Sequence, residues 1–389
     1  MPKLLPAVLI ALSLCLGCGT SHTAICQAPA SSSSSTCSCG GTDAACPAEV
    51  QADVYAVANG QIATFPIQAS TGALGTPTTS AGPASSLGMA AIPVALLFAS
   101  NPQAAGGGAI NVWTINYNTG ALTAVAGSPF SAGGVTAPAG LAVANNLGPA
   151  GPFLYVADAG KIDALQVNNT TGALTAVPGS PFTSGTNLYL ATDYMNHFVF
   201  AADEDSGGGV LAFTINASTG ALTAVPGSPF AISSNSSGSM QLGQIVVDPA
   251  SSFVYVAIPT TGQIAAFSIG SGGVLTPVPG SPFAAGSGAF AVVTINNSPG
   301  NNFLYVSNQT AGTVSGYSIN STTGALTPLA GSPFPVPADT IVADGVEHLY
   351  ASGPAGMMVF SIGTTTGALT QIGSPVSFAG ATALAYVGP

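Results

Sequence analysis

The chain has 389 residues, of which 4% are charged and 47% hydrophobic, with 50 glycines, 30 prolines and a formal net charge of −11. Its only cations are Lys3 and Lys161 and it has no arginine. This excludes binding to nucleic acid or to anionic membrane surfaces, which both demand counter-charge on the protein. The apolar content excludes a disordered chain and is enough to bury a large core.

In chain order, Lys3 precedes an apolar run from Leu4 to Leu16. The run is too short to span a bilayer and has the length of a signal-peptide core. Residues 1–17 read as a signal peptide that ends at "CLGCGT". Gly17-Cys18 resembles the lipobox of bacterial lipoproteins, although Cys15 stands where leucine is usual. The resemblance implies that Cys18 is lipidated and that the protein is exported and anchored, on the periplasmic side or at the cell surface. Ordinary secretion is the alternative, and contact with the membrane is expected only through the anchor.

Residues 18–50 form a Ser/Cys-rich tether with five consecutive serines, Ser31–Ser35. Cys26, Cys37, Cys39 and Cys46 lie here, and no cysteine follows them. Two disulfides are expected in an oxidising compartment, with three pairings open. Cys37-Ser-Cys39 lacks the histidine or second cysteine pair that a zinc site needs.

Residues 51–389 carry one repeated phrase. "TGALTAVPGSPF" occurs at Thr171–Phe182 and again at Thr219–Phe230. Near copies stand at Thr119–Phe130, Gly272–Phe283 and Thr323–Phe334, and eroded ones at Thr71–Pro83 and Thr366–Val376. The glycines are Gly72, Gly120, Gly172, Gly220, Gly273, Gly324 and Gly367, at steps of 43 to 53 residues. That period suits one four-stranded propeller blade.

Each glycine follows a strand in which a bulky apolar residue precedes an aliphatic one by two positions, as in Phe65/Ile67, Leu165/Val167 and Phe360/Ile362. Such spacing puts both side chains on one face of a strand. A second strand comes before it, for example Phe153–Ala157, Phe253–Ala257 and Phe303–Ser307. "LTAV" is a short outer strand joined through a Thr-Gly turn, and "GSPF" is expected to break the sheet because proline cannot donate to a ladder. Small-residue strands such as Leu188–Thr192 and Ala289–Thr294 are expected at the crowded axis. Ala381–Val387, after the last repeat, is expected to supply the strand that the first repeat lacks. The predicted fold is therefore all-β: a seven-bladed β-propeller with four antiparallel strands per blade, closed by the C-terminal strand completing the N-terminal blade. An outer-membrane barrel fits badly, because the strands are short and aromatic girdles are missing.

"FLYVAD" (153–158), "FVYVAI" (253–258) and "FLYVSN" (303–308), each followed by an F-x-I-type strand and a TGALT-like turn, resemble the bacterial seven-bladed lactonase family. That family includes 6-phosphogluconolactonase-like propellers and is similar to the YVTN-repeat surface proteins. The resemblance covers about residues 50–389 and implies the fold. Muconate-cyclising members use arginine, histidine and glutamate, and phosphorylated lactones call for cationic contacts. This chain offers no arginine, so a phosphorylated substrate is not expected. Lys161 reads as a solvated turn lysine. His197 and His348 fall at the starts of second strands, away from the Asp-bearing turns.

Those turns hold the candidate site. Asp158, Asp203, Glu204 and Asp205 follow second strands, with Asn59 and Asn308 at corresponding places in other blades. Carboxylates and amides converging on a channel could hold Ca²⁺ or another divalent cation. The resemblance implies that such an ion would polarise a lactone carbonyl. The plainer reading is that Asp and Asn are turn formers. Three functions stay open: a binding or scaffold propeller whose rim loops meet a neutral polar ligand, glycan or envelope protein; a metal-assisted lactone hydrolase; and a structural envelope protein.

Overall fold

In a computed structural model, the described residues are 52–388 apart from 93–95, 106, 117, 132–133, 146–150, 184, 186, 205–207, 233–239 and 298–299, together with Ile25–Cys26 and Cys37–Ser38. The chain divides into two units, Met1–Val50 and Gln51–Pro389. In the first, Ile25–Cys26 and Cys37–Ser38 pair as antiparallel strands that put Cys26 opposite Cys37 in register. Cys18, Cys39 and Cys46 lie outside the described residues. Among the described residues no helix is long and apolar enough to cross a membrane.

The second unit is a seven-bladed β-propeller with four antiparallel strands in each blade. In the third blade Pro138–Ala144, Phe153–Asp158, Lys161–Val167 and Leu174–Ala176 run outward from the axis. The first blade is completed by the end of the chain: Ala383–Val387 pairs with Asp53–Ala58, setting Asp53 opposite Val387 and Val57 opposite Ala383. Ring closure thus joins residues more than 300 positions apart by backbone hydrogen bonds, and no innermost edge is left unpaired there.

The outer strand of the first blade departs from the sequence reading. It falls at Thr78–Ala81, beyond the eroded "LGTP". Gly75 and Pro77 occupy the usual place, where proline has no amide to give.

"GSPF" interrupts the ladder for only one step. In the third blade the Ala164 carbonyl accepts from Val177 N at 2.9 Å, and the Ala164 amide donates to Ser180 Oγ at 2.9 Å. Phe182 then pairs again with Ile162. Ser128, Ser228, Ser281 and Ser332 accept the corresponding amides in four other blades. The serine hydroxyl fills the ladder position that the proline cannot, which leaves the third strand's buried amide satisfied.

The repeated glycine has two tasks. All seven sit at positive φ, between +64° and +83°. Each also lies under a residue at or near the start of the second strand of the preceding blade: Gly220 under Phe153, Gly273 under Phe198, Gly324 under Phe253 and Gly367 under Phe303, while Gly172 meets Leu96. A Cβ at any of these glycines would overlap the neighbouring side chain. The core therefore lies in the seams between blades, where one blade's second and third strands face the next blade's.

Candidate functional site

The second strands end on the face where the chain crosses from one blade to the next. Asp158, Asp203 and Asn308 are the last residues of their strands and are buried. Asn59 belongs one position later, in the exposed two-residue turn after Asp53–Ala58, at φ +50°. The residue that corresponds to Asp158 in the first blade is Ala58, since both pair with the opening residue of the third strand.

Asp158 holds the crossing into its own blade. Its carboxylate accepts the Thr136 amide at 2.9 Å, the Thr136 hydroxyl at 3.2 Å and the Ala137 amide. Lys161 Nζ lies 2.8 Å from Asp158 Oδ2 and 3.4 Å from the buried Asp163, and donates to the Gly134 carbonyl at 2.9 Å. Lys161 is thus tied into the blade, in contrast to the solvated lysine its turn position suggests. Burial alone would raise the Asp158 pKa, but the ammonium of Lys161 and the two amides outweigh it and hold the carboxyl below the usual range. Burial pushes Asp163 up to about 6. The same partners keep Lys161 charged despite partial burial.

Asn308 repeats the arrangement without charge. Its Oδ1 accepts the Gly286 amide at 3.0 Å, and its Nδ2 donates to the Thr313 and Ser315 hydroxyls at 2.9 Å. Asp203 packs against Gly185 in the equivalent crossing. Glu204 accepts the Leu242 amide at 3.0 Å. Asp205 lies outside the described residues.

Of the predicted set, Asp158, Asp203 and Asn308 lie in three different blades; Asp158 and Asn308 bond the crossing into their own blade, and Glu204 bonds the crossing into the next. Among the described residues no three Asp, Glu, His or Cys side chains come together in a way that could hold a metal ion. The Asp158 charge is already met by Lys161 and two backbone amides, and Asn308 Oδ1 accepts the Gly286 amide.

Between these crossings the axis opens into a cavity of about 190 Å³. It is lined by innermost-strand residues of all seven blades, including Gly140, Tyr189, Gln244, Thr340 and Leu384, and none of its lining side chains is charged. Tyr189 packs edge-on against Phe290 with centroids 5.6 Å apart, and burial pushes its phenol up to about 12, with the Glu204 charge adding to the effect. The sequence placed strands such as Leu188–Thr192 at the axis but not the cavity, because small and aliphatic side chains there look the same whether they fill a core or line a channel.

The histidines stand at the other end of the second strands. His197 is mostly exposed, 3.9 Å from Asp193. His348 Nδ1 lies 2.7 Å from Asp344 Oδ2, in the turn that precedes its strand. Asp193, Asp248 and Asp344 each accept backbone amides four and five, or two to four, residues on, which closes the hairpin between the first and second strands.

Residues 208–344 match the family model "Lactonase, 7-bladed beta-propeller". No curated protein matches the chain. Among solved structures, a protein of Bacteroides uniformis provisionally named a 6-phosphogluconolactonase is similar at TM-score 0.68 and 17% identity, covering 87% of this chain and 100% of its own. The periplasmic gluconolactonase of Pseudomonas aeruginosa is similar at TM-score 0.64 and 15% identity, with 87% and 99% covered. A protein of Lactobacillus plantarum gives TM-score 0.64, 17% identity, and 87% and 100% coverage. At these identities the likeness establishes the fold, a seven-bladed β-propeller, and residues 208–344 are similar to the lactonase family of that fold.

Proposed function

We propose that this propeller is an extracytoplasmic binding or scaffold module that presents its rim loops to a neutral polar ligand, a glycan or an envelope protein. One observation carries the reading: Asp158, Glu204 and Asn308 of the predicted cluster are bonded to the crossings, and the axial cavity is lined without charge. Hydrolysis of a lactone needs a donor or cation for the developing oxyanion and a base for water. The propeller's one lysine is already bonded to Asp158, and its two histidines lie at the opposite end of the blades. A glycan array probed with the mature chain tests this. Neutral glycans should bind, with little loss between 0.1 and 0.5 M salt, because no charge pair is being screened. Retention of anionic glycans alone, lost at the higher salt, would contradict it.

Residues 1–17 act in this account as the signal peptide, Cys18 as the lipidated residue and 18–50 as the tether. Cys18→Ser should then move the protein from the membrane fraction to the soluble extracytoplasmic fraction with the propeller folded. An unchanged distribution would remove the anchor.

Lactone hydrolysis is the second reading, and the family match over residues 208–344 favours it. The similar proteins named for gluconolactone substrates support the same direction. An unphosphorylated lactone suits an uncharged cavity better than a phosphorylated one.

A further inference from the structure

The far end of the axis, where the innermost strands turn into the second strands, holds a separate pocket of about 270 Å³. It spans three consecutive blades, with Asn145 from the third, Thr192, Asp193, Tyr194 and Asn196 from the fourth and Val247 from the fifth. From this arrangement we infer that the pocket is a binding site for one ring of a neutral carbohydrate, distinct from the rim on the opposite face.

Three observations converge on this. First, Asn196 is 5% exposed, lines the cavity and makes no side-chain hydrogen bond to another described residue. At the pocket wall, a ligand hydroxyl can take the place of water on such an amide. Asn145, across the pocket, likewise makes no side-chain bond to a described residue. Each amide offers an acceptor and two donors, and this matches hydroxyls that both give and accept.

Second, Tyr194 is 60% exposed beside these amides, and Met195 next to it is 62% exposed. The turn that carries Tyr194 is fixed rather than adrift: its amide donates to Ser251 Oγ of the next blade at 3.0 Å, and the Asp193 carboxylate accepts the His197 and Phe198 amides at 2.7 Å. A held tyrosine with a free ring face supplies a flat apolar platform with a polar tip, suited to the C–H face of a sugar.

Third, the electrostatics select against anions. Asp193 lines the pocket and Asp248 occupies the adjoining turn, and no lysine or arginine is among the lining residues. The volume sits near the lower end, roughly 300 Å³, of small-molecule sites, which limits the occupant to about one ring.

Saturation-transfer NMR on the mature chain with maltotriose and cellotriose as probes, and glucose 6-phosphate as the anionic counterpart, tests the site. At least one neutral trisaccharide should show transfer, with the phosphorylated sugar weaker. Tyr194→Ala should weaken that binding at least fivefold, Asn145→Ala at least threefold, and Tyr194→Trp should retain it. Both truncations are at exposed positions, so an unchanged melting temperature should accompany the loss. Absence of transfer from both trisaccharides would overturn the inference, as would affinity within twofold of wild type in both truncated variants. In the latter case the sugar is held elsewhere and the rim reading stands.

Discussion

The Tyr155 hydroxyl donates to the carbonyl of Gly220 at 3.0 Å, so an aromatic side chain of the third blade closes the turn glycine of the fourth. Tyr55, Tyr255 and Tyr305 do the same to Gly120, Gly324 and Gly367 at 3.0, 2.9 and 2.6 Å. The tyrosine of the repeated Y-V/A motif is thus a tie between blades. At the closing seam the pattern breaks: Tyr350 is buried with no partner for its hydroxyl, and stacks on Tyr386 of the terminal strand at 12° between ring planes.

This difference predicts unequal costs for one substitution. Tyr155→Phe removes a donor and leaves a buried carbonyl unmet, for a loss of about 1–3 kcal/mol. Tyr350→Phe removes a hydroxyl that is already unsatisfied and should be neutral or slightly stabilising. Chemical denaturation of the two variants checks the contrast.

Closure also introduces titratable groups. Where five seams set Leu96, Phe153, Phe198, Phe253 or Phe303 over the glycine, the seams on either side of the first blade set His348 over Gly72 and Asp53 over Gly120. Burial pushes the Asp53 carboxyl up to about 7, with the Tyr55 hydroxyl opposing only in part. Its raised pKa means that its contribution is fully present below about pH 4 and is lost as pH rises through about 7. His348 is raised by its hydrogen bond to Asp344, so that contribution too is lost on the alkaline side, as pH rises beyond 6.5. Burial would raise Asp344, but His348 and the backbone amides of the turn hold it low; its share is present above about pH 4 and lost only in acid.

The melting temperature should therefore fall between pH 5 and pH 8. Asp53→Asn should flatten much of this slope and stabilise the protein at pH 8 by roughly 2–4 kcal/mol. His348→Phe, which restores the residue type of the other seams, should remove the part above pH 6.5, the raised Asp163 accounting for slope up to about pH 6. A wild-type melting temperature that is flat or rises over this interval would contradict the assignment.

The repeat made the ring legible in the sequence, because strand alternation, the turn glycine and the unpaired terminal segment 381–387 all depend on local chemistry. The seams were hidden. That Phe153 lies over Gly220, 67 positions later, follows from how consecutive blades stack, and no spacing within one repeat carries it. Ser180 likewise reads as a turn residue until its hydroxyl is seen to take the Ala164 amide. For the candidate site, the sequence placed Asp158, Asp203 and Asn308 on one rim but could not show which way they turn. Asp158 and Lys161 are three residues apart across a tight turn, and their pairing follows once the turn is known to join two antiparallel strands. Asn145, Tyr194 and Asn196 drew no notice, since lone turn residues in different blades have no shared pattern.

Hydrolysis of glucono-δ-lactone by the purified mature chain, followed by pH-stat against the spontaneous rate at the same pH, tests the central claim most directly. With Asp158, Glu204 and Asn308 bonded into the crossings and Lys161 held by Asp158, the rate should match the uncatalysed one at micromolar protein. Turnover well above that rate, saturating with substrate and abolished in Asp203→Ala, would contradict a binding module and identify the propeller as a hydrolase.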